Sequence, residues 1–598
     1  MNQARRDSLQ SDRLLLGILA GLALVGSLTE FQSHAGQRDA RLNFVGLFGS
    51  KPIRFDNLEY QDAKGQQLSV TRLDFLVSDF AMQNVRGQWV SISNSTAYIS
   101  IHENRTGVVL SAVPEAQFTT LRFKVGLAPT INHLDPAKLG PTDPLNPLVN
   151  NLHWNWKGGY VFMALEGRWK ASQSEKEPSG YSFHIATDPQ LMTVEIPIDF
   201  DLQKSSRLTV AVDVAKVFFG ISPIALKADQ NSTHSRANDM LAAALKKNVE
   251  AAFSIIPPAP ETPPALATNV FRLEMAESAR PFRLTISSFF PRPSLPADNP
   301  LTEEGVDLGK NLFFDQRLSV NSSQSCASCH ETSRAFSQEQ AASTGAEGQR
   351  GRINAMSLIN LAWKSEFFWD GRATSLRQQI LEPIQNPIEM HQTLADLVIK
   401  LRNNTMPENY PQAFEKAFGT REISADRVAR AIEQFLLTQV SYDSKFDRVM
   451  QGEAQLTAEE QRGFELFNTE YDPRREQYGA DCFHCHGGPL FRSQNFANNG
   501  LDETLNDRGR AAVSKREGDL GKFAVPSLRN VEVTGPYMHD GRFRTLEEAV
   551  GHYITGVKKS STLDPNLAKH PDGGVPLNSG DKKALVAFLK TLTDSRFK

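Results

Sequence analysis

The chain contains four cysteines, and all of them fall into two copies of one pattern, Cys326-Ala-Ser-Cys329-His330 and Cys482-Phe-His-Cys485-His486. Thiols at this spacing can each add to one vinyl group of a haem, and the adjacent imidazole then ligates the iron from the same short turn. A zinc or redox Cys-x-x-Cys pair is the rival reading. Two complete copies, each with its histidine, weigh against it, and no cysteine is left over. The residues therefore read as two covalently attached c-type haems.

Each motif supplies one axial ligand, so the chemistry depends on the other. A second Met or His makes an electron-transfer haem, whereas a vacant position lets peroxide or oxygen reach the iron. One candidate stripe is visible near the C-terminus. Leu546, Ala549, Val550 and Tyr553 fall at i, i+3, i+4 and i+7 on one helical face, with Met538 and His552 as rival ligands nearby.

Several elements must position these groups, because 598 residues exceed one ordinary core. A formal net charge of −3, with no basic stripe interleaved with aromatics, argues against a nucleic-acid partner. Arg5, Arg6 and Arg13 precede an apolar run from Leu14 to Val25, followed by Ser33 and Ala35, which reads as a secretion signal. The run is short for a spanning helix, so any membrane association would come only from this segment left uncut as an anchor. The expected location is the periplasm.

From Arg41 to about Val217, short alternating apolar runs such as Leu73 to Phe80 and Tyr98 to Ile101, with turn signals at Gly65, Gly87 and Gly107, predict an all-β sandwich or barrel. Met240 to Phe253 has helical periodicity, and a proline tract from Ile256 to Pro264 marks a stiff spacer. Beyond it the pattern is helical. Thr302 is placed to cap one helix, and others are expected around 374–381, 424–438, 457–467 and 580–592. Gly345, Gly348 and Gly351 read as a flexible loop, and no phosphate-cradling motif is present. The expected division is a signal peptide or anchor at 1–35, a β domain at 38–255, a Pro-rich linker and lead-in at 256–298, and two all-α cytochrome c-like lobes at 299–450 and 451–598.

The helical half resembles the bacterial di-haem cytochrome c peroxidase and MauG family across roughly 299–592. The matching motifs are Asn299-Pro-Leu-Thr302, Leu308-Gly-Lys-Asn-Leu-Phe-Phe-Asp-Gln-Arg-Leu-Ser319, Phe368-Trp-Asp-Gly-Arg372, Ile388-Glu-Met390, Val525-Pro-Ser-Leu-Arg-Asn530 and Pro536-Tyr-Met-His-Asp-Gly541. The resemblance implies a di-haem peroxidase. Where the family's peroxidases carry a removable distal histidine on the first haem, this chain aligns Ala346, so that haem is expected to be open. Gln379, Pro383 and Glu389 would form its distal pocket, with Glu389 as acid and base. Tyr553 would be the sixth ligand of the second haem, as in MauG, and an anionic oxygen there favours high iron oxidation states. Trp369 would relay oxidising equivalents between the haems. Asn354 with the carbonyls of Thr534 and Pro536 would bind calcium. Ala480 stands where MauG has a surface tryptophan through which it oxidises its partner, which leaves the exit route open.

The N-terminal half resembles the MbnP-like, copper-associated family through Leu134-Asp-Pro136, Trp154-Asn-Trp-Lys-Gly-Gly-Tyr160, Leu165-Glu-Gly167, Phe183-His184 and Thr233-His-Ser235. Partner enzymes of that family convert a tryptophan to kynurenine, which helps to form a copper site. The resemblance therefore implies Trp154 or Trp156 as the modified residue and His184 with His234 as copper ligands, followed by His153 and His102. The expected function is hydrogen-peroxide-driven oxidation of a protein tryptophan, in this chain's own N-terminal domain or in another protein. A peroxide-scavenging cytochrome c peroxidase with a small electron donor is the alternative, and a non-catalytic electron-transfer or copper-binding protein is the alternative of another class.

Overall fold

The computed structural model describes residues 37–597 apart from 63–64, 94, 155–158, 173, 229, 234, 236–237, 258–274, 404–408 and 474–475. The N-terminal apolar run, most of the proline tract, Trp156 and His234 lie outside the described residues.

The N-terminal half is a β-sandwich. Its smaller sheet runs in the order Phe253–Ile256, Arg207–Asp213, Gln37–Phe48 and Lys51–Pro52, with Gly107–Pro114 also paired to Gln37–Phe48. The larger sheet runs Met192–Asp201, Gln117–Val125, Arg72–Asn84, Val161–Lys170, Ser179–Ala186 and Ser232–Thr233, with short strands added beside this path. Phe44 from the first sheet packs edge-on against Phe75 and Phe123 of the second, each at 5.7 Å between ring centroids. Phe253 closes on Phe123 at 5.4 Å. Aromatic edges and faces thus interlock the layers.

Two details differ from the sequence expectation. The helix begins at Met240 but ends at Glu250, and Phe253 belongs to a strand, because its ring is needed between the sheets. Gly107 opens a strand rather than making a turn.

The strands also differ in how they meet water. Met192–Asp201 alternates buried and more exposed residues, as a half-solvated strand should. Val161–Lys170 is buried throughout except at Lys170, although Glu166 and Arg168 are charged. The second helical lobe covers that polar face. A Cβ added to Gly180 would lie 2.0 Å from the Pro565 carbonyl oxygen, so the neighbouring strand Ser179–Ala186 and the short helix Pro565–Ala568 approach at backbone distance.

The two helical lobes share one construction. In the first, Glu303–Phe314 crosses Ala425–Leu437, and a Cβ at Gly309 would lie 1.8 Å from the Ala431 carbonyl oxygen. In the second, Ala458–Phe467 crosses Ser579–Lys590, with Gly463 at 1.9 Å from the Ala584 carbonyl oxygen on the same measure. A glycine at each crossing lets the helices meet without an intervening side chain, which brings Phe467 onto Phe588 at 5.4 Å. Thr302 caps the first helix as expected, its hydroxyl accepting from the Gly305 N–H at 3.0 Å. Among the described residues no helix is long and apolar enough to cross a membrane.

Candidate haem sites

The second cysteine motif opens into a cavity. Cys482, Cys485 and His486 line it together with Leu546, Ala549, Val550 and Tyr553. The helix Leu546–Gly551 passes into a wider turn at His552–Gly556, which carries Tyr553 inward. His552 does not line the cavity. Its Nε2 lies 2.9 Å from the Asn499 carbonyl oxygen. Met538 does line it, in the left-handed region at φ 76°.

The donor set fits a covalently bound haem. His486 Nδ1 lies 3.3 Å from the Phe491 carbonyl oxygen, which holds the ring and directs Nε2 to ligate. Burial pushes this imidazole down to about 4, so it is neutral, as a ligand must be. Burial likewise pushes the Tyr553 phenol up to about 12, so ionisation of its oxygen calls for a cation beside it.

A second observation concerns charge. Lys364 and Arg492 line the same cavity without an ion pair among the described residues, and Arg492 Nε is a buried donor without a hydrogen-bond partner. Burial brings the ammonium down to about 7 and the guanidinium down to about 10. Unbalanced buried cations are costly, and the carboxylates of haem propionates would balance them. No sequence motif announces either residue.

At the first motif, Ser325 and Ser328 cap each other around Cys326. His330 Nδ1 lies 2.9 Å from the Phe336 carbonyl oxygen, repeating the arrangement at His486. Gln379 and Pro383 lie one turn apart on the helix Leu376–Gln385. The Met390 N–H donates to the Pro383 carbonyl, which brings the Glu389 loop alongside. Glu389 is close enough to Cys329 to raise its thiol, after burial as the larger cause. Burial also raises the Glu389 carboxyl above its usual range, against the Asn386 amide, which donates to it at 2.8 Å.

The Gly345–Gly351 stretch is an ordered turn rather than a flexible loop. The Ala346 N–H donates to the Glu389 carbonyl at 2.7 Å, and a Cβ on Gly345 would lie 2.0 Å from the Ile388 carbonyl oxygen. Residue 346 thus sits directly beside the expected acid and base.

Trp369 spans the lobes. Its Nε1–H donates to the Asn354 carbonyl at 2.9 Å, and its own carbonyl accepts from the Ala524 N–H at 2.7 Å. Asn354, Thr534 and Pro536 line the cavity with it. Among the described residues no group of three or more His, Cys, Asp or Glu side chains is placed to hold a metal.

In the N-terminal domain, His184 Nε2 lies 2.8 Å from Glu166 Oε1, and Arg72 Nη1 reaches the same oxygen at 3.1 Å. Asn566 of the second lobe donates to Glu166 Oε2 at 3.4 Å, and Arg168 donates to the Leu563 carbonyl at 3.4 Å. The His184 ring sits 5.3 Å from that of His484, which lies between Cys482 and Cys485. Asn151 donates to Ser493 Oγ at 3.1 Å, which places the loop preceding Trp154 on the same lobe. His153 packs edge-on against Tyr160, and His102 packs edge-on against Phe55 and lines a cavity with Arg72 and Glu166. The docking residues were not legible as such, because charged alternate positions on a strand read as a solvent face.

Residues 303–455 match the family described as di-haem cytochrome c peroxidase, and residues 37–236 match the MbnP family. The methylamine utilization protein MauG of Methylophilus methylotrophus is 35% identical over 337 residues, covering 56% of this chain and 96% of that protein. The cytochrome c551 peroxidase of Nitrosomonas europaea is 37% identical over 304 residues, covering 50% of this chain and 82% of that protein. A crystal structure of a MauG-like protein associated with microbial copper homeostasis is 34% identical with a TM-score of 0.47, covering 53% of this chain and 99% of that one.

Proposed function

This chain belongs to the di-haem cytochrome c peroxidase and MauG family, an oxidoreductase family that implies two haems, and from that premise we propose that it is an exported enzyme that uses hydrogen peroxide to oxidise a tryptophan of its own N-terminal domain. The observation that carries this reading is the docking of the N-terminal sheet on the second lobe, with His184 against His484 and the Trp154 loop anchored at Ser493.

When bound, the haems supply the redox chemistry by which peroxide takes up two electrons and two protons and leaves as two waters. The protein's residues manage protons and position. Glu389, half-buried beside the first cysteine motif, takes a proton from one peroxide oxygen and returns it to the other. Ala346 leaves room for peroxide where a histidine would close the site. Trp369, hydrogen-bonded to both lobes, passes electrons between them. Tyr553, which lines the same cavity as His486, would ligate the second haem. Two electrons leave the tryptophan side chain for each peroxide consumed.

Asn354 with the Thr534 and Pro536 carbonyls, all on residues that line this cavity, would offer calcium oxygen ligands. His184 is the described residue best placed to ligate copper after the tryptophan has been modified.

The test is peroxide turnover of the purified full chain, followed by mass spectrometry of the peptide bearing Trp154 and Trp156. Added oxygen on either residue is expected. An unchanged peptide after many turnovers would overturn self-oxidation and leave a small donor or another protein as the reductant.

A further inference from the structure

Among the side chains that line the second cavity with His486 are Tyr553 and Met538, both able to ligate iron. They would tune the haem in opposite directions, since thioether ligation raises the potential and an anionic oxygen lowers it by adding negative charge. Asn499 lies between them. Its Nδ2 is 3.2 Å from Tyr553 Oη and 3.4 Å from Met538 Sδ. A primary amide nitrogen carries two hydrogens, so one can serve each neighbour.

The position of Asn499 is fixed from several sides. Its carbonyl oxygen faces His552 Nε2 at 2.9 Å. Asn498 donates to Ser560 Oγ and Thr562 Oγ1 at 3.1 and 2.9 Å, and its own Oδ1 accepts from the Gly500 N–H at 2.9 Å. Gly500 holds φ +71°, and a Cβ there would lie 2.7 Å from Val557 Cγ1. These contacts tie the loop that carries the amide to the segments around it.

We propose that Asn499 selects the sixth ligand of the second haem, donating one amide hydrogen to Tyr553 Oη and holding Met538 Sδ away from the iron with the other. A hydrogen bond to an oxygen bearing negative charge is strong, and one to a thioether is weak. The same amide therefore favours the tyrosine and restrains its competitor. The inference rests on Tyr553 being the ligand, and it gives Asn499 a positioning role, since the amide acts on the haem only through its two neighbours.

The experiment uses the full haem-loaded chain and reads the ligand-to-iron charge-transfer absorption and the midpoint potential of the second haem. Asn499→Leu keeps the volume and removes both donors. Asn499→Asp keeps the shape and, when ionised, only accepts. Both are expected to lose part of the phenolate band, gain a thioether band and raise the potential, with the thioether-to-phenolate ratio rising at least about tenfold for the loss of one charge-assisted hydrogen bond. Adding Met538→Leu should abolish the thioether band. Spectra and potential matching the parent in both Asn499 variants would overturn the selection role. Tyr553→Phe separates this outcome from failure of the premise, because a parent-like band surviving in that variant would show that the tyrosine is not the ligand at all.

Discussion

His184 and His484 lie ring to ring across the junction of the two halves, 5.3 Å between centroids and tilted by 46°. One imidazole belongs to a sheet of the N-terminal sandwich, and the other sits between the two cysteines of the second haem motif. Ala480 carries no aromatic ring, and on the proposed function this contact offers a route from the second haem into the domain it would oxidise. His184→Ala should leave the initial reaction of the haems with peroxide intact and slow modification of the N-terminal peptide, which stopped-flow absorption and quantitative mass spectrometry over a time course would resolve.

The same junction makes stability depend on acid. Burial would raise the Glu166 carboxyl, but Arg72 and His184 outweigh burial and bring it down to about 2 from 4.5. A depressed carboxyl contributes stability that is fully present above about pH 4.5 and disappears as the pH falls through about 2, worth about 3 kcal/mol in this fully buried case. Thermal melts of the parent should fall over that window. Glu166→Gln should lower the melt near neutral pH and flatten the acid dependence.

At the first haem, Ala346→His would place an imidazole beside Glu389, where the Ala346 backbone is already bonded. The expected result is a six-coordinate low-spin first haem that reacts with peroxide only after reduction. Electron paramagnetic resonance of the ferric protein checks this, and a persistent high-spin signal would count against the alignment of residue 346.

Glu389→Gln should slow the reaction with peroxide about a hundredfold or more. In the parent, burial raises this carboxyl. The carboxylate is the form that accepts the first proton, so the rate should fall as the pH drops through a value above the ordinary glutamate range. Stopped-flow pH profiles would show that limb, and the glutamine variant should lack it.

Gly463→Ala would drive a methyl group into the Ala584 carbonyl, and Gly309→Ala would do the same against Ala431. Each should cost about 1–3 kcal/mol through overpacking. Thermal unfolding followed at the haem absorption would report the loss lobe by lobe.

Local chemistry was legible in the sequence. The cysteine motifs announce themselves, the Leu546–Tyr553 stripe lines its cavity as its spacing requires, and Thr302 caps its helix. Relations between distant segments were not. Glu166, Arg168 and His184 alternate with apolar neighbours as any solvated strand face does, and only the second lobe lying over them reveals that they are buried. Asn499, Lys364 and Arg492 occupy irregular segments without periodicity, so nothing in their neighbours marks them. Gly309 and Gly463 look like helix weaknesses until the crossing partner is seen at backbone distance.

The absent side chain at Gly180, facing the Pro565 carbonyl, bears on how freely such halves could be recombined. A sandwich of similar fold with any larger residue there would be wedged off the cytochrome before its polar face could engage. Grafting a foreign N-terminal module onto this enzyme thus needs a matching gap at that one point, however well its other contacts agree.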